Sequence, residues 1–152
     1  MSGLPSFLDA AARSGDEHEL RRLVVEQETS LRRHLSNCLI QASEHGRRNI
    51  VDFLLSKGAN IHYVRDFTYY TSIIIASQNG HLEIVKELLS HGANVNDVDN
   101  VGRTAMCYAT NESIEAVLRN WPTTMGILVL QELGLYTQPE AKFYIDLKDY
   151  IG

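Results

Sequence analysis

The stretch Thr71–Asn96, TSIIIASQNGHLEIVKELLSHGANVN, decides the fold. Ile73, Ile74 and Ala76 give its first half an apolar face, and Gly80 stands where a helix is closed by a left-handed residue. Ile84, Val85, Leu88 and Leu89 then recur at the spacing of a second amphipathic helix. Gly92 ends that helix, and Ala93-Asn94-Val95-Asn96 turns the chain back out. Two such short helices cannot stand alone, because isolated helices below about 12–15 residues are marginal in water. The unit therefore requires neighbours with matching faces.

The neighbours are present in the sequence. HGRRNIVDFLLSKGANIH, His45–His62, repeats the second-helix pattern upstream. Gly46 and Gly80 lie 34 positions apart, as do Gly58 and Gly92, whereas Thr71–Thr104 and Ala76–Ala109 are spaced by 33. GHLEIVKELLSHGANVN resembles the second half of an ankyrin repeat, and Thr71–Ala76 stands where that family has T-P-L-H-x-A, with Ser72 for Pro and Ile74 for His. The resemblance implies an all-α fold, an ankyrin-repeat solenoid of helix-turn-helix units joined by hairpin fingers. The reading places an ankyrin repeat domain over residues 1–121, with a truncated repeat at 5–28 and repeats at about 32–62, 66–96 and 99–121. Residues 122–152 are expected to form a helical C-terminal capping segment, because terminal repeats must cover their exposed face.

Working outward, Ser6-Phe7-Leu8-Asp9 reads as a capping box opening the first helix, with Gly15 ending it. Leu20, Leu23 and Val24 match Val85, Leu88 and Leu89. The run Glu26–Ser30 lacks a G-A-N signature and predicts a shortened turn. In the next unit Asn37–Ala42 carries none of the family's Thr, Pro or His, while Ile50, Val51, Leu54 and Leu55 keep the second-helix face. The chain between His62 and Thr71 holds one residue more than that between Asn96 and Thr104, which locates an insertion in the finger. Tyr69 falls at the place of Gly102, where a turn needs positive φ, so the inserted residue is expected to let the finger turn by another route. In the last unit Ser113 stands where the helix-ending glycine was and Pro122 where Leu89 was, which predicts a second helix cut at Trp121.

Composition bounds the function. The chain has 152 residues, a net charge of −5, 44% hydrophobic and 22% charged residues, as in ordinary soluble domains. The acidic balance argues against nucleic acid as a partner. Apolar runs such as Ile127–Leu130 are far short of the ~18 residues of a membrane span. The first residues lack the basic start and long apolar core of a secretory signal, so a cytoplasmic or nuclear setting is expected, without membrane insertion. Cys38 and Cys107 fall two repeats apart, too distant for a disulfide. There is no Cys-x-x-Cys, no histidine pair at metal-ligand spacing and no phosphate-binding glycine loop, so neither metal, cofactor nor catalytic residues are expected.

The best candidate site is the finger Tyr63–Tyr70, whose four aromatics and Arg65 have the composition of an interface core. One or two of these rings are expected to fold back on the repeats. In proteins that it resembles, partners bind the fingers and first helices, which maps to Phe67, Thr68, Tyr70, Gln78 and Asn79. In the following repeat the same mapping gives Asn100, Val101, Arg103, Asn111 and Glu112, with Arg33, His34, Glu44 and His45 as upstream equivalents. The resemblance thus implies a non-catalytic protein-binding module, an adaptor or a subunit of a multi-subunit complex. Small ankyrin-repeat inhibitors of enzymes such as kinases are the alternative. Leu88–Asn96 also resembles ankyrin segments modified by an asparaginyl hydroxylase, with Asn96 as acceptor, against the simpler expectation that the Asn96 side chain braces the turn.

Overall fold

A computed structural model describes residues 3–25 and 32–121, and its architecture is all-helical, with two isolated β-bridges in place of strands. The helices are α1 (Leu4–Ser14), α2 (Glu17–Val25), α3 (Arg32–Glu44), α4 (Arg48–Ser56), α5 (Ser72–Gln78), α6 (Leu82–Ser90), α7 (Ala105–Tyr108) and α8 (112–121). A 3-10 turn, Asp66–Thr68, sits in the first finger. By packing, the chain forms two units, Met1–Glu115 and Ala116–Gly152; the second is described only through residue 121. The turn expected at 26–30 and the cap expected over 122–152 lie outside the described residues.

The central pair forms as its periodicity dictates. Residues 72–77 of α5 are all buried, because the helix packs between α3, α6 and α7. Ile84, Val85, Leu88 and Leu89 form the buried face of α6. Gly80 closes α5 at φ 76, and His81 N–H bonds back to Ala76 O at 3.0 Å. α4 buries Ile50, Val51, Phe53 and Leu54. Leu55, expected in that face, is half-buried, and Phe53 takes the deeper place beneath the Arg21 guanidinium, 4.3 Å above its ring.

Successive repeats are joined by a recurring side-chain staple. Arg47, just before α4, lies against Gly15 and donates from Nε to the Arg13 carbonyl at 2.9 Å. One repeat on, His81 covers Gly46 and donates from Nε2 to the Glu44 carbonyl at 3.0 Å. At the third junction Thr110 and Asn111 lie over Gly80. In each case the residue opening the second helix sits on the glycine that ends the preceding repeat's first helix.

Several expectations are corrected. α1 opens at Leu4 with Pro5 in its first turn and no side-chain cap, so Ser6 lies inside the helix rather than capping it; proline presets the φ of a first turn. α3 is continuous from Arg32, so the segment in register with the later fingers is helical here. That segment has Leu35 and Ser36, both buried, where the finger has Tyr69 and Tyr70. The last repeat is shortened in its first helix, while the cut expected after Trp121 falls at the edge of the described residues. α7 stops at Tyr108, Ala109 turns extended (ψ 124), and Asn111 caps α8 by accepting the Ile114 N–H at 3.0 Å. Ile114 and Leu118, both buried, thereby match Ile84 and Leu88 at a spacing of 30.

Candidate protein-binding surface on the fingers

Two consecutive fingers carry the exposed candidate residues. Each begins with an aspartate whose side chain closes the turn. In the first, Asp66 Oδ1 accepts the Thr68 N–H at 2.9 Å. In the second, Asp99 Oδ1 accepts the N–H groups of Val101 and Arg103, both at 2.9 Å. Such Asx turns mimic a backbone turn and stabilise it locally. A backbone bond then joins the tips, Asn100 N–H to Thr68 O at 3.1 Å.

The first finger keeps the left-handed turn position, contrary to expectation, but closes by another bond: Arg65 N–H to Tyr70 O, where the second finger has Asp99 N–H to Arg103 O. Tyr69 adopts φ 58, in the place where Gly102 has φ 82, and Asp66 is also left-handed at φ 41. The extra residue is located just ahead of the hairpin. Tyr63 N–H bonds to Asn60 O as Asp97 N–H does to Asn94 O, while Asp66–Tyr69 matches Asp99–Gly102. Val64 is the residue left over between these two registers. It shifts the finger's start without relieving its turn.

Above the turns the tips are apolar and open. Phe67 is 89% exposed and Val101 64%, and Tyr69 and Val98 are also exposed. Below them lies a polar cluster. Tyr70 packs edge-on to Tyr108, with ring centroids 5.6 Å apart and hydroxyls at 3.0 Å. Tyr108 donates to Asp99 Oδ2, and the Arg103 guanidinium stands 4.7 Å above the Tyr108 ring while Nε bonds Asp99 Oδ2 at 3.2 Å. Burial alone would raise the Asp99 carboxyl, but the hydrogen bonds from Tyr108 and the Arg103 and Val101 backbone hold it down to about 2. Burial and its bonds to Asp99 and Tyr70 push the Tyr108 phenol well above its ordinary value.

The residues singled out from sequence separate accordingly. Phe67, Thr68, Asn100 and Val101 share the joined tips. Tyr70 and Arg103 belong to the supporting cluster, so one ring folds back while Phe67 and Tyr69 stay out. Gln78 and Asn79 end α5, where Asn79 Nδ2 bonds the Ile75 carbonyl at 2.9 Å. Asn111 is the cap of α8 and Glu112 opens it, so neither is in register with the α5 pair. Arg33 and His34 ride on α3 rather than on a finger, and His45 is bonded to its own helix through the Gln41 carbonyl. Glu44 holds Arg65 at 2.9 Å, tying the first finger to α3. The Asn96 turn is braced by another side chain: Asn94 Oδ1 accepts the Asn96 N–H at 3.0 Å, as Asn60 does for His62 at 2.9 Å.

Sequence reasoning passed over Asp99, Val98 and Tyr108. An aromatic at the variable position of T-P-L-H-x-A was the available signal for Tyr108. Among the described residues no helix is long and apolar enough to cross a membrane. A family model described as ankyrin repeats (3 copies) matches residues 39–119. No curated protein matches the chain.

Proposed function

The chain belongs to the ankyrin-repeat family, and from that premise we propose that it is a non-catalytic adaptor or assembly subunit that seats its partner on the two finger tips. Ankyrin repeats are generally protein–protein interaction modules, and the proposal concerns which surface of this one is used. The observation that carries it is Phe67, 89% exposed on a tip bonded to the tip that bears the 64% exposed Val101. Large apolar side chains left in water on a rigid support gain most when a partner covers them, and aromatic anchors commonly dominate such interfaces. The support is preorganised by the Asp99–Tyr108–Tyr70 cluster, so little ordering remains to be done on binding.

The test is affinity purification from the native source with two baits, the wild-type chain and Phe67→Ala/Val101→Ser, followed by mass and stoichiometry. A stoichiometric partner retained by the first bait and lost by the second, at equal helix content, is the expected result. The same partner held equally by both baits would move the interface away from the tips. Tyr70 is left intact in this experiment because its hydroxyl is part of the support.

A further inference from the structure

The seam between α4 and α6 carries a side-chain cluster unlike that of the seam before it. α2, α4 and α6 are equivalent helices, with Leu20 in register with Val51 and Val85. In the α2–α4 seam the Arg21 guanidinium lies 4.3 Å over the Phe53 ring and Lys57 Nζ 5.8 Å from it. The equivalent positions of the next seam are Asp52 on α4 and Glu87 and His91 on α6. Their ligand-type atoms all lie within 4.8 Å of one another.

The cluster is poorly neutralised by its surroundings. Asp52 makes no hydrogen bond or ion pair among the described residues. Arg48, the nearest cation, stands 3.9 Å from Glu87 Oε2 and also 3.9 Å from Glu83 Oε2, so its charge is divided. Lys86 is engaged by Glu83 at 3.2 Å. The His91 ring is already held in place: Nδ1 donates to the Glu87 carbonyl at 2.9 Å and stands 3.5 Å from Glu87 Oε1. Two carboxylates and an imidazole therefore converge from two helices, with Arg48 shared between Glu87 and Glu83.

We propose that Asp52, Glu87 and His91 bind a divalent transition-metal ion of the zinc type, clamping α4 to α6 across the repeat boundary. One imidazole with two carboxylates is a borderline donor set that suits zinc, cobalt or nickel better than calcium or magnesium. Three protein ligands leave one tetrahedral position for water. Bonds of about 2.0–2.2 Å place tetrahedral donors about 3.4 Å apart, and the exposed side chains of Asp52 and His91 have room to close that distance. The ion would replace mutual repulsion of Asp52 and Glu87 by attraction to a shared centre.

The experiment is calorimetric titration of the full chain with Zn²⁺ alone, repeated on Asp52→Asn, His91→Gln and His62→Gln. His62 lies 4.0 Å from Asp97 and is the control for nonspecific imidazole binding. Expected are one-to-one binding by the wild type, a loss of affinity of at least about tenfold in Asp52→Asn and His91→Gln, and no change in His62→Gln. The melting temperature should rise with Zn²⁺ in the wild type and not in the first two variants, while their circular dichroism without metal matches the wild type. Absence of one-to-one binding, undiminished affinity in His91→Gln, or an equal loss in His62→Gln would each overturn the site.

Discussion

Gly46 shows how one hydrogen atom in place of a side chain sets the distance between repeats. Its φ is +72, and a Cβ there would lie 2.8 Å from His81 Cε1, displacing the ring that bonds the Glu44 carbonyl. Gly58 has a similar φ of +84 with nothing within 4 Å of its virtual Cβ. Both alanine variants suffer the left-handed strain of about 1–2 kcal/mol, and Gly46→Ala alone adds a clash and a broken staple. Urea unfolding should therefore show Gly46→Ala less stable than Gly58→Ala by roughly another 1 kcal/mol. Thr71 gives the opposite case. Its buried hydroxyl has no partner among the described residues, and the family's histidine, which could have supplied a polar neighbour, is Ile74. Thr71→Val should be neutral or stabilising by up to about 1 kcal/mol, since a buried orphan costs more than the group it replaces; a loss of stability beyond that range would mean that the hydroxyl is satisfied.

The second finger is the element whose electrostatics are most directly testable. Asp99 receives Val101, Arg103 and Tyr108 on one 4%-exposed carboxylate, and these bonds require the ionised form. Its value in the folded state is about 2, below its ordinary 3.8. A depressed carboxyl stabilises the fold above the unfolded value, and that contribution fades as pH falls through the interval down to the folded one. The wild-type urea midpoint should thus decline between about pH 4 and pH 2 more steeply than that of Asp99→Asn. Parallel curves for the two proteins would show that the finger does not depend on this charge. In the first finger the Thr68 bonds also hold Asp66 below its ordinary value, but Asp66 is exposed and lacks a tyrosine donor, so its slope should be shallower.

Within the unit Met1–Glu115, stability is shared between nearest neighbours. α5 lies between α3, α6 and α7, and Ile74 at its centre is 0% exposed. Ile74→Ala removes contacts on several helices at once and should cost about 3–4 kcal/mol, within the range for large-to-small core changes. Leu20 is equally buried but lies on α2, in the terminal repeat. Leu20→Ala should loosen that repeat ahead of the others and broaden the urea transition, whereas Ile74→Ala should shift it as a whole. Equal slopes for the two variants would argue that the terminal repeat is not separately labile.

What the sequence alone determined is what belongs to the chain locally. The 34- and 33-residue periods, the glycines that end α5 and α6, and the buried faces Ile73–Ala76 and Ile84–Leu89 follow from helix periodicity and from the left-handed conformation that glycine tolerates. Those properties hold whichever neighbour packs against them, so they were legible without it. Tertiary structure decided the rest, because the deciding surface came from another part of the chain. Ser36 and Leu35 are buried against the rest of the stack, so α3 runs on through the place of a finger. Asn111 caps α8 over Gly80, which moves the last helix by three residues. The joined second finger holds Tyr69 in a conformation that its own side chain disfavours. Glu87 and His91 are four residues apart in sequence, but Asp52 reaches them only because α4 and α6 stack. Which finger rings stay out is likewise a property of the stack: Phe67 and Tyr69 are exposed, while Tyr70 packs on Tyr108.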